Sequence, residues 1–359
     1  MFKHLILIIC LPLFINCNNK TTIVLHNNNQ LEYQGRVAVN KSKKATELFW
    51  SGTAVKINFK GTSAKITLED EKGENYFNVF IDGIFIKYFR IEKGLKSYNL
   101  AEKLDDKKHT IEITKRNEFS AGKTLFYNFI IQGKVLQKDP NKELFIEFYG
   151  DSITTGHGNE DTSGKDKSNG IVTNNYNSYA AMTARNLNAD YTCIAKEGIG
   201  IMLSWHDLVM QEIYYRKNPA DEKSKWNFSK KQPDIVVINL LQNDSWLVNK
   251  PNHKEYKRRL GNKKPNPETI ENAYAEFVKV IREKYKLATI ICMLGNMDIT
   301  KENSPWKNYV SNAVKSINDR KIYTCFVPFK NTTGHPKVTE HKIIADQLTT
   351  FIQNNILNN

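Results

Sequence analysis

Four polar motifs follow apolar runs that read as β-strands: Gly150-Asp151-Ser152, Glu197-Gly198-Ile199-Gly200, Gln242-Asn243-Asp244 and Gly334-His335-Pro336. Together they hold the parts of an acyl-transfer site. A serine hydroxyl is a poor nucleophile until a base takes its proton, and histidine titrates in the range where such a base is useful. Attack on an ester carbonyl leaves charge on its oxygen, and donors already aimed at that oxygen stabilise the transition state selectively. Losing one such donor costs about 3 kcal/mol. Ser152 offers a hydroxyl and a backbone amide, Asn243 a side-chain amide and His335 an imidazole. Gly198 and Gly200 each offer an amide unobstructed by a Cβ, and Gly198 is the preferred donor.

Each motif alone has a blander reading. Gly-Asp-Ser is most often a turn, His-Pro ends many loops, and Asn243-Asp244 could cap the segment that follows. Their conjunction at four separate strand ends carries the argument, because parallel α/β sheets bind ligands at the carboxyl ends of their strands. Trp246, three residues past Asn243, is a candidate sugar-stacking residue or a rim or core aromatic. Trp205 and Trp306 read as packing residues. His157 reads as a bystander on the loop after Ser152, and His341 as facing solvent or the sheet edge.

The elements that must position these residues differ between two halves of the chain. From about residue 32 to 135 the apolar pattern has period two: Val55, Ile57 and Phe59, then Ile66 and Leu68, then Phe77, Val79 and Ile81. Asp82-Gly83 is a pair favoured in two-residue hairpin turns. Short strands separated by turn signals predict an all-β sandwich of jelly-roll type. A polar stretch with Pro140 marks a boundary, after which strands at 144–149, 191–195, 235–241, 289–294 and 322–328 alternate with helical patterns. Asn266-Pro267 supplies an N-cap and a proline at the first helical position, ahead of a stripe of Ile270, Tyr274, Phe277 and Ile281. Val310, Ala313, Val314 and Ile317 form a second stripe; Val338, Ala345, Leu348 and Ile352 form a third. This order predicts a parallel sheet covered on both faces. The expected division is a leader at 1–20, a β-sandwich at 30–138 and an α/β domain at 143–357.

Composition bounds the partners. The chain has 359 residues, is 40% hydrophobic and 25% charged, and carries a formal charge of +14. Its mean hydropathy of −0.52 excludes a polytopic membrane protein. The lysines are scattered rather than clustered, and no nucleic-acid-binding spacing accompanies them, so no nucleic-acid partner is expected. Lys3 and His4 precede an apolar run at 5–15, interrupted by Pro12, that is too short to span a bilayer and suits a signal peptide. It ends at Asn16-Cys17 and resembles a bacterial lipoprotein signal, which implies export across the inner membrane and a lipid on Cys17. The implied location is the periplasmic or outer-membrane side of the cell envelope; Asn16 departs from the usual small residue and leaves simple secretion as the alternative. Cys193, Cys292 and Cys325 lie in apolar runs and read as buried thiols, with no metal-ligand spacing.

Gly150-Asp151-Ser152, Gly198, Asn243-Asp244 and His335-Pro336 stand in the order and spacing of the SGNH, or GDSL, hydrolases, and the chain resembles that family over roughly residues 143–355. Gln34-Gly35-Arg36-Val37, Phe49-Trp50-Ser51-Gly52 and Phe80-Ile81-Asp82-Gly83 are similar to the jelly-roll module of carbohydrate esterase family two. The resemblance implies a three-layer, flavodoxin-like SGNH domain behind a jelly roll, and removal of acetyl groups from acetylated polysaccharide of the xylan or glucomannan type. It makes Ser152 the nucleophile and His335 the base, with Ser152, Gly198 and Asn243 forming the oxyanion hole. No metal or organic cofactor is required, and a monomer is expected. Two positions depart from the pattern. Thr332 stands where an aspartate usually precedes the histidine, so a triad of that kind is absent. The esterase family includes members with a Ser-His pair oriented by a backbone carbonyl, which favours that family over a generic lipase; the sequence does not name the group that orients His335. Leu241-Gln242 replaces the usual Gly-Thr, which suggests a less tightly turned backbone before Asn243. Other SGNH esterases or lipases, acting on lipid, peptidoglycan or sialic acid esters, are the enzyme alternative. A noncatalytic carbohydrate-binding lipoprotein is the alternative from another class.

Overall fold

The computed structural model describes residues 20–167 and 170–358; Cys17 and the apolar run before it lie outside them. Ten strands between Thr21 and Val135 make an antiparallel network, and five strands from Leu144 to Phe326 make a parallel sheet. The antiparallel part begins with Thr21–Leu25, ahead of the boundary expected at residue 30. That strand pairs with Thr124–Val135 in the register Thr21↔Gln132 to Leu25↔Asn128. Ala54–Asp70 is one long strand rather than two. Its first part pairs with Lys107–Lys115 and its second with Gly94–Ala101, so a single strand serves both layers of the sandwich. Val55, Ile57, Phe59, Ile66 and Leu68 all point into the sandwich core. At the predicted hairpin, Asp82 and Gly83 have φ of 52° and 78°, as a two-residue turn with both central residues left-handed requires.

The parallel strands are Leu144–Gly150, Ala189–Ala195, Ile235–Asn239, Thr289–Leu294 and Ile322–Phe326. Numbered in chain order, they lie side by side as 2-1-3-4-5, the flavodoxin-like arrangement. Side chains alternate between two apolar layers. Val236, Ile238, Ile290 and Cys292 face helices Pro267–Lys284 and Trp306–Ile317, whereas Ile146, Phe148, Val237 and Ile291 face Tyr179–Asn186 and Val338–Ile352. Asn266 caps the first of these helices by accepting from the Thr269 amide at 2.8 Å. Trp306 is buried as expected. His341 corrects the sequence reading. It is fully buried, its ring stacks on Tyr179, and its Nδ1 accepts from the Tyr179 amide at 3.2 Å. Burial pushes it down to about 3, so it is neutral.

The sandwich and the parallel sheet meet through the motifs noted in the first half. Arg36 is fully buried and donates to Glu147 Oε1 at 2.9 Å, while Tyr285 donates to the same oxygen at 2.7 Å. Trp50 Nε1 donates to the Lys217 carbonyl at 2.8 Å. Gly52, at φ +73°, approaches so closely that a Cβ would lie 2.2 Å from Asn175 Oδ1. Among the described residues no helix is long and apolar enough to cross a membrane.

Candidate active site

The order 2-1-3-4-5 reverses direction between the first and third strands, and a crevice opens there. The first strand ends at Gly150, where a Cβ would lie 1.9 Å from Thr154 Oγ1. Asp151 then caps the short helix Ser152–Thr155, accepting from the Ile153 amide at 3.0 Å. Ser152 stands at the first position of that helix, 4% exposed. Its Oγ is 2.9 Å from His335 Nε2.

The group that orients His335, which the sequence does not name, is a carboxylate. Among the described residues no backbone carbonyl takes the His335 Nδ1. Asp166 Oδ2 lies 2.8 Å from Nδ1, and Asp166 Oδ1 accepts the His335 backbone amide at 2.9 Å. His335 and these two bonds hold the Asp166 carboxyl far below the usual carboxylate range. Thr332, at the expected position, is instead occupied by Lys330 and Glu340. Asp166 arrives on a loop organised by Asp161, whose carboxylate accepts from Ser163 N, Ser163 Oγ and Lys167 N at 3.0, 2.7 and 2.9 Å. Gly334, at φ +71°, leaves room for it: a Cβ there would lie 3.0 Å from Asp166 Cγ.

The second strand delivers Gly198, at φ +74°. Its amide makes no hydrogen bond with the described residues, whereas the Gly200 amide is taken by Ser204 Oγ at 2.9 Å. Of the two glycines, Gly198 therefore keeps an open donor. The third strand delivers Asn243 through a tight turn at Leu241. The backbone is not relaxed there: Leu241 holds φ +80° with its side chain fully buried, a conformation that glycine would adopt without strain. Asn243 Nδ2 donates to the Ile199 carbonyl at 2.8 Å and faces Asp151 Oδ2 at 3.4 Å. Asp244 stitches the two loops together, accepting from the amides of Ile201, Met202 and Leu203 at 2.9, 2.7 and 2.8 Å. Burial pushes the Asp151 carboxyl up to about 7.

One aromatic expectation changes. Trp205, read as packing, is 39% exposed, and its indole N–H donates to Asn243 Oδ1 at 3.0 Å. That bond, with the donation from Nδ2 to the Ile199 carbonyl, decides which end of the amide is oxygen. Trp246 is half-buried, one helical turn from Asn243. It packs against the core, and its indole donates to Asp298 at 3.2 Å. The ring of His157 lies 4.7 Å from that of His335, and burial pushes it down to about 4. A cleft of about 470 Å³ continues from there along the seam, lined by Tyr76, Arg90, Asn117, Glu118, His157 and Glu197. Among the described residues no cluster of His, Cys, Asp or Glu could hold a metal ion. Cys193, Cys292 and Cys325 are free and buried.

A hydroxyl, an imidazole and a carboxylate in line, beside an unpaired amide and an oriented side-chain amide, can carry out acyl transfer through a covalent intermediate.

Comparison with known proteins gives a consistent picture. The family model for the N-terminal domain of carbohydrate esterase 2 matches residues 33–140. The cellulase/esterase CelE of Acetivibrio thermocellus is 33% identical over 86% of this chain, which spans 37% of that protein's length. An acetylxylan esterase/glucomannan deacetylase of Cellvibrio japonicus is 20% identical over 93% of this chain and 92% of its own. The structure of a family two carbohydrate esterase from Clostridium thermocellum, in complex with cellohexaose, superposes with a TM-score of 0.81. It is 30% identical and is matched over 91% of this chain and 99% of that one.

Proposed function

The chain belongs to carbohydrate esterase family two, and we propose that it removes O-acetyl groups from polysaccharide through an acetyl-enzyme on Ser152. The observation that carries this reading is the line Ser152 Oγ–His335–Asp166, with separations of 2.9 and 2.8 Å. In the proposed reaction His335 Nε2 takes the hydroxyl proton as Oγ attacks the acetyl carbonyl. Asp166 holds the Nδ1 proton in place and stabilises the imidazolium that forms. The amides of Ser152 and Gly198 and the Asn243 Nδ2 receive the charge on the carbonyl oxygen. The tetrahedral species collapses, His335 protonates the departing sugar oxygen, and the Ser152 ester remains. Water, deprotonated by His335, then attacks that ester by the same route and releases acetate.

Substrate class follows from the surroundings and from the relatives. The relatives' names include acetylxylan esterase and glucomannan deacetylase, and the solved relative holds a glucose hexamer. Here the exposed ring of Trp205, bonded to Asn243, and the half-buried ring of Trp246, three residues past Asn243 on the same short helix, offer flat faces suited to sugar rings. A polymer continuing past the reacting residue would enter the cleft at Tyr76 and Asn117. The test is acyl profiling on acetylated xylan, acetylated glucomannan and aryl esters of increasing chain length. Acetate-selective turnover that includes polysaccharide supports the reading. A preference for long acyl chains contradicts it.

We further propose that residues 1–20 direct export and that Cys17 carries a lipid, an inference from the sequence pattern alone. Metabolic labelling with an alkyne fatty acid should mark the native chain and miss Cys17→Ala. Equal labelling of both would contradict the assignment.

A further inference from the structure

The strand Lys107–Lys115 ends at the seam between the sandwich and the parallel sheet. The four residues 115–118 turn there against both loops of the site. Arg116, 1% exposed, donates to the Ile171 carbonyl at 2.9 Å and pairs with Glu160, so it holds the stem of the loop that carries Asp166. Glu118, 7% exposed, accepts the Glu197 backbone amide on Oε2 at 2.6 Å. Glu197 immediately precedes Gly198. Lys115 is fully buried and anchors this turn, its Nζ donating to the carbonyls of Asn117 and Glu118 at 2.7 and 3.0 Å.

We propose that Glu118 is a positioning residue for the oxyanion hole, supplied by the β-sandwich to the hydrolase half. The inference rests on the esterase reading and extends it. An oxyanion donor must sit within about half an ångström of its productive place. The Gly198 amide is set by the peptide planes around it, and glycine at φ +74° offers little restraint of its own. On its C-terminal side the segment is held by the Trp205 amide, which donates to the Gly198 carbonyl at 2.9 Å. On its N-terminal side Glu118 fixes the Glu197 amide through a charge-assisted hydrogen bond in a buried place. Lys196, with its Nζ 3.9 Å from Oε1, balances the carboxylate charge. The sandwich is therefore part of the catalytic machinery by position, beyond any contact it makes with sugar.

Three full-length variants test this. Glu118→Ala removes the acceptor, Glu118→Asp withdraws it by one methylene, and Glu118→Gln keeps an acceptor oxygen in place. Steady-state rates on aryl acetate and acetylated xylan are measured beside thermal melting. The expected result is a fall in kcat of roughly 10- to 100-fold for Glu118→Ala and Glu118→Asp on both esters. KM should stay within about twofold, and Glu118→Gln within about threefold of the native rate. Affinity for an alkyl boronic acid, which forms a tetrahedral adduct with a serine nucleophile, should weaken in parallel with kcat. Unchanged kcat in Glu118→Asp overturns the proposal, as does a Glu118→Gln variant as slow as Glu118→Asp. If Glu118→Ala does not fold, the contrast between Glu118→Asp and Glu118→Gln decides alone. A native enzyme inactive on every ester would contradict the esterase reading itself, a separate outcome.

Discussion

Asp166 Oδ2 lies 2.8 Å from His335 Nδ1, although 169 positions separate the two residues in the chain. The carboxylate takes both the imidazole N–H and the backbone N–H of the same histidine, which fixes the ring's tautomer and its rotation together. Asp166→Asn should lower kcat on aryl acetate by about 10²- to 10⁴-fold with little change in KM, because an amide can donate to Nδ1 and stabilise the wrong tautomer. Steady-state kinetics check this. A variant within a few-fold of the native rate would show that Asp166 does not orient the base.

Leu241 predicts an inversion of the usual order of substitutions. Its side chain is fully buried, so truncation to alanine should cost about 3–5 kcal/mol. At φ +80°, however, a Cβ costs about 1–2 kcal/mol that glycine does not incur. Leu241→Gly should therefore be more stable than Leu241→Ala, by about 1 kcal/mol after glycine's extra entropy loss is set against it. Urea denaturation of the two variants measures the difference, and a less stable glycine variant would refute the strain argument.

Acid sensitivity should depend on His341. Burial lowers its folded pKa to about 3, below the ordinary histidine value of about 6.5 in the unfolded chain. The unfolded state therefore binds more protons as pH falls. The stability contribution is complete above roughly pH 6.5 and is lost progressively toward the folded value. Asparagine can keep an acceptor near the Tyr179 amide without titrating. The drop in melting temperature between about pH 7.5 and about pH 5 should be smaller for His341→Asn than for the native protein. Equal drops would mean that His341 is protonated in the folded state.

Hydrophobic periodicity made most of the framework legible from sequence. Residues 235–238 and 290–294 are uninterrupted apolar runs, and Asn266-Pro267 marks a helix start by local chemistry alone. Ser152, Gly198, Asn243 and His335 converge because each sits just past a strand or at a helix entrance, positions that the α/β topology forces together. Asp166 was not legible for the opposite reason. Its loop is built from side-chain turns around Asp161, without periodicity, and its contact with His335 is wholly non-local. The one local hint was Gly334, a residue able to leave space beside the histidine. Trp205 was misread because an indole buried for packing and one that orients an amide look identical in sequence. His341 was misplaced because a polar residue on an amphipathic helix is ordinarily solvated, and here Tyr179 supplies both a stacking face and a donor.

The central claim is that Ser152 carries the acetyl group during polysaccharide deacetylation. Acetate release from acetylated xylan and glucomannan, measured for the native chain beside Ser152→Ala, tests it most directly. The account predicts steady release from at least one polysaccharide by the native enzyme and none above background from the variant, with both proteins equally folded. Undiminished release by Ser152→Ala would contradict the mechanism, and polysaccharide binding without any ester turnover by the native chain would contradict the activity.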